Sequence, residues 1–497
     1  MAGGPDARDC RSIGDEAPGR RDLSWEPVIG LEVHVQMRTE RKLFCGNRVV
    51  FGDEPNSHVC PVCLGLPGAL PTTNPEAVEL GIRTALALDC TVHLTSVWER
   101  KNYFYPDLPK GYQITQFEMP LATDGVVIYD GPEGEAMVRI RRAHMEEDAG
   151  KSIHDRIPRG TAVDLNRAGT PLVEIVTEPD LRSPADARAF LTTLKQILEY
   201  VDVSDCNMEE GSLRVDANVS LRPAGASELG AKTEIKNVNS FSGVERALEI
   251  EITRQVEVLD HSGTVDQETL LWDDHKGQLR SMRSKEDSHD YRYFPDPDLP
   301  PLVLTSGLVE SAREDLPELP RSRRERFITD YGLSLYDAGV LTQTVASADY
   351  FEAVVKASTE PKSAANWVMG PVQALMNERR EDSATFQVDA QALAELIELV
   401  ADGTVSDTAA KKVLAAVAAD GGSLRSVIEE LGLAQVRDDS QLEEWIRAVI
   451  ETHPDEVSRY REGEKRLLGF LVGEVMRCSS GTADPRLVNT ILMKELI

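Results

Sequence analysis

The sequence predicts an α+β chain, with an N-terminal part built on an antiparallel sheet and a C-terminal part made only of helices. Three observations carry that class. Up to about residue 240, apolar residues recur with period two in several separate stretches, the mark of half-buried strands. Beyond residue 301 the period turns helical and stays so. Between the two regions lies the proline-rich P-D-P-D-L-P-P (295–301), which reads as a domain boundary. The expected organisation is a disordered leader (1–24), a sheet domain (25–300), a helical linker (301–348) and a helical tail domain (349–497).

Size and composition bound the function classes. At 497 residues the chain has room for two to four domains, and 41% apolar with 28% charged residues places it among soluble globular proteins. It has no uninterrupted apolar run of membrane-spanning length and no secretory apolar core near the N-terminus, so a cytoplasmic location without membrane contact is expected. A net charge of −30 argues against nucleic-acid binding through bulk electrostatics, though not against a local basic surface. The chain has 15 Lys against 39 Arg, and this fits either a salt-adapted surface or genome composition. Seven Cys without a regular framework fit reduced thiols with room for one metal knuckle.

Taken in order, residues 27–37 (P-V-I-G-L-E-V-H-V-Q-M) put Ile29, Leu31, Val33, Val35 and Met37 on one face of a strand and Glu32, His34 and Gln36 on the other. Glu32 and His34 then stand about 7 Å apart on one side. Such a pair can converge on an ion, but is more often plain surface. Cys45 is followed by His58, Cys60 and Cys63, a C-x-x-C pair with a third Cys upstream. That is a structural-zinc signal lacking a fourth ligand; His58 is nearest, only two residues before Cys60, and unligated thiols are the alternative. Residues 74–88 read as a helix with Pro at its start. Residues 99–116 concentrate Lys101, Tyr103, Tyr105, Asp107, Lys110 and Tyr112 in a chain only 5% aromatic. Interleaved Tyr and Lys can stack on a base and hold phosphates, or simply pack as a loop on a sheet.

Met137–Glu146 reads as a strand running into A-H-M-E-E-D-A-G-K-S (143–152), which carries His144, Glu146, Glu147, Asp148 and Lys151. Three successive carboxylates repel one another, so they either lie solvated or share a divalent cation. In isolation the solvated turn is the plainer reading. Strand signals recur at 171–178, with Glu174 and Glu178 on one face, at 213–222, with Arg214, Asp216 and Asn218, and at 232–236, with Lys232, Glu234 and Lys236. Several strands with mixed charges along one side suggest a polar working surface. Residues 184–200 and 241–259 have helical spacing. In the tail, Ser440-Gln-Leu-Glu443 is a capping box, Gly421 and Gly432 read as helix stops, and the last 47 residues, with seven basic and eight acidic groups, are the least acidic part.

The motifs V-I-G-L-E-V-H (28–34), C-P-V-C-L-G-L-P-G-A-L-P (60–71), R-K-N-Y-F-Y-P-D (100–107), H-M-E-E-D-A-G-K (144–151), D-L-N-R-A-G-T-P-L-V-E-I-V (164–176), M-E-E-G-S-L-R-V-D-A-N-V-S (208–220) and D-Y-R-Y-F-P-D-P-D (290–298) closely resemble the GatB family, the B subunits of glutamine-dependent aspartyl/glutamyl-tRNA amidotransferases. The resemblance runs from about Trp25 to the C-terminus in unbroken order. It implies a cradle-like catalytic domain on an antiparallel sheet, followed by an all-α linker and a YqeY-like helical tail for tRNA. It implies ATP- and Mg2+-dependent phosphorylation of the side-chain carboxylate of Glu or Asp misacylated on tRNA(Gln) or tRNA(Asn). Ammonia channelled from glutamine then forms the amide, making the complex a C–N ligase of protein biosynthesis. The implied partners are a glutamine-hydrolysing amidase (GatA) and a small third protein (GatC), which together complete a heterotrimer.

Residue by residue, Glu32, His34, Glu147 and Glu174 match the family's metal-binding positions, with Glu146 beside them. Lys101, Tyr103, Tyr105 and Lys151 match positions near the active site, as candidate nucleotide or acyl-end contacts. Glu147 is the first choice of ligand among the carboxylates, Glu146 its helper, and Asp148 turn chemistry. One departure stands out. Many members carry four Cys in the knuckle, in C-x-C and C-x-x-C pairs, whereas F-C-G-N places Asn47 at the second. Zn2+ would then rest on Cys45, Cys60 and Cys63, with His58 as a substitute. Two other readings compete: a free-standing ATP-dependent carboxylate–amine ligase, which has no use for a long helical tail, and a non-catalytic tRNA-binding scaffold. The amidase signature of Ser-cis-Ser-Lys is missing, as expected of a protein that receives its ammonia.

Overall fold

The structure, a computed structural model, describes residues 24–153, 157–282, 291–358, 360–381, 383, 385–435, 439–479 and 481–496. The expected leader therefore lies outside the described residues except for Ser24. The chain divides into two compact units, one up to Leu316 and one from Pro317.

The first unit is organised on a nine-stranded sheet: β1 (Trp25–Gln36), β2 (Thr91–Val92), β3 (Ala122–Gly131), β4 (Gly134–Glu147), β5 (Pro171–Thr177), β6 (Leu213–Pro223), β7 (Thr233–Val238), β8 (Thr269–Asp273) and β9 (Gln278–Ser281). Their order is β9-β8-β7-β6-β1-β5-β4-β3-β2, which makes the Glu32/His34 strand central. The β7–β8 pair is parallel and every other pair antiparallel. A parallel pair needs a long crossover, and helix α3 (Phe241–Asp260) supplies it. Ile29, Leu31, Val33 and Val35 of β1 are buried as the alternation requires. Helices α1 (Pro75–Ala87), α2 (Pro184–Tyr200) and α3 pack on the sheet. Each starts where a side chain relieves its unpaired amides: Asn74, Ser183 and Ser240 accept from the first turn.

One irregularity decides which residues reach the polar face. In β4, Val138 and Ile140 are buried, and then Ala143 and Met145. The parity changes because β4 carries one residue more than β5 in this stretch: Val176 pairs with Arg142, but Thr177 with Ile140. A bulge of this kind sends every later side chain to the opposite face. Arg142, His144 and Glu146 therefore face the polar side. On β3, Asp124 takes a left-handed φ of 58° at the same level, and the β3–β4 register is kept.

A second, three-stranded sheet joins Arg292–Pro295, Glu99–Asn102 and Tyr112–Thr115, with Glu99–Asn102 in the middle, and its Tyr112–Thr115 strand packs against β4. The helix Ser306–Glu314 belongs to the first unit and packs on α1.

The second unit is helical and holds two apolar cores. One runs from Phe327 to Ile428 and joins Phe327 and Leu341 to Phe351 and Leu393, so it crosses residue 349; the other runs from Leu442 to Leu496. Gly421 and Gly432 follow helices with positive φ, which a residue without Cβ adopts at little cost. No helix among the described residues is long and apolar enough to cross a membrane.

Candidate functional site

The polar face of the sheet carries a cross-strand row, Arg214 on β6, His34 on β1, Glu174 on β5 and His144 on β4. His34 Nε2 lies 3.4 Å from Glu174 Oε2 and 3.5 Å from Glu146 Oε1. His144 Nε2 approaches the same Glu174 oxygen at 3.4 Å. His34, Glu146 and Glu174 thus offer three ligand atoms within 4.8 Å of one another. Burial opposes the charge of Glu174, but the His144 and His34 imidazoles outweigh it and hold the carboxyl well below its usual range. Burial likewise pulls His34 down, and the bond to Glu174 with the charges of Glu174 and Glu146 more than restores it, so its pKa is raised.

The set fits a hard divalent cation. Glu146 is buried, and its Oε2 has no hydrogen-bond partner among the described residues. An unpaired buried carboxylate oxygen is costly, and two carboxylates with one imidazole are a donor set suited to Mg2+.

Glu147 is not brought to this cluster. It follows Glu146 by one residue and therefore points the other way, where Lys110 Nζ pairs with its Oε1 and the Ile114 amide donates to the same oxygen at 2.9 Å. Glu32 shares the polar face one pair along β1, bonded by Asn218 Nδ2 at 3.3 Å; burial, then Glu174, Glu234 and Asp216, raise its pKa. Asp148 does more than make a turn. It is buried, accepts from Arg214 Nη2 at 2.8 Å and Gln36 Nε2 at 2.9 Å, and has Arg167 Nε 3.5 Å away.

The small sheet walls the site. Burial works against the Lys101 ammonium, but the nearby Glu146 and Glu174 hold it charged, and its Nζ lies 5.1 Å from the centre of the Tyr291 ring. Tyr103 meets Tyr105 at 6.0 Å and Tyr291 at 5.7 Å, edge to face, and its hydroxyl donates to Gln113 Oε1 at 2.9 Å. Tyr293 stacks on Phe117 at 4.2 Å, and Arg142 lies over Phe117 at 5.2 Å. Lys151 is exposed on the short strand Lys151–Ile153. Sequence reasoning missed Arg142, Tyr291 and Tyr293 as site residues and placed Arg214 on the polar face without a role. Only the alternation of D-Y-R-Y (290–293) could have pointed to the two tyrosines.

Residues 27–310 match the family model of the GatB/GatE catalytic domain, and residues 349–496 match that of a GatB domain. The chain belongs to the GatB/GatE family. It is 49% identical over 474 residues to a protein of Thermoanaerobacter sp. (strain X514), 50% over 474 residues to one of Chlorobium phaeobacteroides (strain BS1), and 49% over 476 residues to one of Moorella thermoacetica. Each match covers 95% of this chain and 100% of the relative, and each relative is named as the B subunit of an aspartyl/glutamyl-tRNA(Asn/Gln) amidotransferase.

In this GatB-family chain the three knuckle sulfurs form a group separate from that of His34, Glu146 and Glu174. Cys45 and Cys63 sulfurs are 3.5 Å apart, and those of Cys60 and Cys63 3.7 Å. His58 is not brought to them: its Nε2 is engaged with Asp53 Oδ2 at 2.7 Å.

Proposed function

We propose that this chain is the B subunit of a glutamine-dependent amidotransferase, a C–N ligase acting on aspartyl- or glutamyl-tRNA in the cytoplasm, in a complex with an amidase and a small third protein. Its share of the reaction is ATP-dependent activation of the side-chain carboxylate, before amidation to Asn-tRNA(Asn) or Gln-tRNA(Gln). The observation that carries the reading is the convergence of His34, Glu146 and Glu174 beneath Lys101 and a tyrosine wall.

The residues suit the chemistry. His34, Glu146 and Glu174 would hold Mg2+, which when bound offsets the repulsion between polyphosphate and carboxylate. Lys101, kept cationic by Glu146 and Glu174, offers a positive contact to phosphate oxygens. Tyr103, Tyr105, Tyr291 and Tyr293 give flat faces for a base and keep water from the activated carboxyl. Arg214 and His144 hold Asp148 and Glu174 in place, so the ligands need no rearrangement on binding.

The test is amidation by the purified complex, with Glu-tRNA(Gln) and Asp-tRNA(Asn) in separate reactions containing glutamine, ATP and Mg2+. Glu146→Gln is expected to abolish amidation with tRNA binding retained. Unchanged amidation would reduce the sheet to a tRNA-binding scaffold.

A further inference from the structure

Arg142 on β4 stands beside the ligand cluster and makes no side-chain hydrogen bond to a described residue. Neighbouring cations of the polar face are engaged: Arg214 with Asp148 at 2.8 Å, and Lys236 with Asp216 at 3.0 Å and Glu234 at 3.1 Å. Arg142 Nη2 has only Glu174 Oε1, at 4.0 Å, too far for a hydrogen bond. Its Nε is buried without a partner among the described residues, while the side chain as a whole is 25% exposed. A guanidinium carries five N–H donors in a fixed fork, so one that bonds nothing is open to an acceptor from outside the chain.

The group is nonetheless held in place. It lies 5.2 Å from the centre of the Phe117 ring, which stacks on Tyr293. The buried Glu99 carboxylate fixes Phe117, accepting from its amide at 2.7 Å and from that of Glu118 at 2.8 Å. A flat cation braced on an aromatic face loses little freedom when it binds. The bulge turns Arg142 to the same face as His144 and Glu146. Glu174 stands between the two groups: its Oε2 faces both imidazoles at 3.4 Å, and its Oε1 faces Arg142. The fork therefore lies one carboxylate beyond the ligand atoms.

Resting on the amidotransferase reading, we propose that Arg142 grips the acyl oxygen of the substrate's side-chain carboxyl and is a catalytic residue of amidation. A planar fork matches a carboxylate, whereas the point charge of Lys101 suits a phosphate. Once the carboxyl is phosphorylated, the lone pair of ammonia forms the C–N bond and the carbonyl π pair moves onto oxygen. Arg142 donates to that oxygen as its charge grows. The pair then returns as the C–O bond to phosphate breaks. Inorganic phosphate leaves with the bonding electrons, and the nitrogen releases one proton to water.

The experiment uses the purified three-protein complex with ammonium in place of glutamine, so that ammonia supply is not at issue. It follows kcat and the KM values for ATP and for whichever of Glu-tRNA(Gln) and Asp-tRNA(Asn) wild type amidates. Arg142→Lys should lower kcat by about 100-fold, the scale of one oxyanion donor, and leave both KM values in place. Arg142→Ala should lose as much and regain part of it in millimolar guanidinium, a rescue that Arg142→Lys should not show. A kcat loss under about tenfold falls short of an oxyanion donor and would overturn the contact. A raised KM for ATP would move Arg142 to the nucleotide instead, and Arg142→Ala without rescue would leave it a structural residue. Wild type that amidates neither tRNA would overturn the amidotransferase reading and this proposal with it.

Discussion

In the first unit Lys42, His144, Glu146, Glu147, Asp148 and Glu174 are all buried, whereas Arg323 is the one charged side chain so buried among the described residues of the second. The helical unit draws its stability from two apolar cores and leaves its ion pairs near the surface, as with Arg425–Glu395. The sheet unit gathers charge on one face, where desolvation penalises every ion that lacks a partner. Its partners are specific: Lys110 for Glu147, Arg214 for Asp148, and two imidazoles for Glu174. Glu146 Oε2 is left over. Glu381 Oε2 of the second unit also lacks a partner, but it joins no cluster of metal-ligand atoms among the described residues, whereas Glu146 stands with His34 and Glu174.

That contrast can be broken most sharply at neighbouring carboxylates. Glu146→Gln should lower single-turnover amidation by about 100- to 1,000-fold, because a charge-stabilising group is lost from the reacting centre. Glu147→Gln should cost about tenfold, the lower end of the loss for a supporting contact. Equal losses across a Mg2+ titration would erase the distinction between the two faces of β4.

Asp148→Ala takes the buried acceptor from the partly exposed Arg214 and Arg167 and should destabilise the first unit by about 1–3 kcal/mol. Urea unfolding followed separately for the two units should show the loss in one transition only. A shift in both would mean that the units do not unfold independently.

Removing residues from Asp439 onward deletes the second helical core and leaves the first intact. The KM for aminoacyl-tRNA should rise about tenfold, a loss near 1.4 kcal/mol, with the KM for ATP unchanged. If both constants move together, the division between reading tRNA and activating the carboxylate is wrong.

The smallest effect belongs to the second unit's own buried ion. Arg323 bonds Glu352 and Asp349, and Arg326 adds a second cation at 2.7 Å from Glu352. Burial opposes the Glu352 charge, but bonds from Arg326 and Arg323 outweigh it, so its folded pKa lies below the ordinary 4.5. A carboxyl with a depressed folded pKa stabilises fully above its unfolded value, and that contribution fades as pH falls through the lower folded one. Arg323→Ala should therefore cost about 1–2 kcal/mol at neutral pH and flatten the acid limb of the stability profile below pH 4.5. An unchanged acid limb would remove this pair from the account.

The alternation of β1 and β6 made the sheet legible, because period two with one buried face allows only one register of the side chains. Helices α1, α2 and α3 were equally legible: the expected 74–88, 184–200 and 241–259 became Pro75–Ala87, Pro184–Tyr200 and Phe241–Asp260, with caps at their starts. Alternation put His34 and Glu174 on the polar faces of their strands, but only the resemblance to the GatB family joined them in one site. The pairing of Glu99–Asn102 with Arg292–Pro295 was not legible, because contacts across such sequence separation leave no local pattern.

Sequence alone determined the fold class, the polar face and the residue types that gather there, because these follow from periodicity and composition within short windows. Only the tertiary structure decided between Glu146 and Glu147. The choice hangs on one extra residue in β4 set against β5, and a bulge exists only as a mismatch between two strands. The acidic run His144–Lys151 was in view throughout; which of its carboxylates meets His34 was settled by β5, a partner strand farther along the chain.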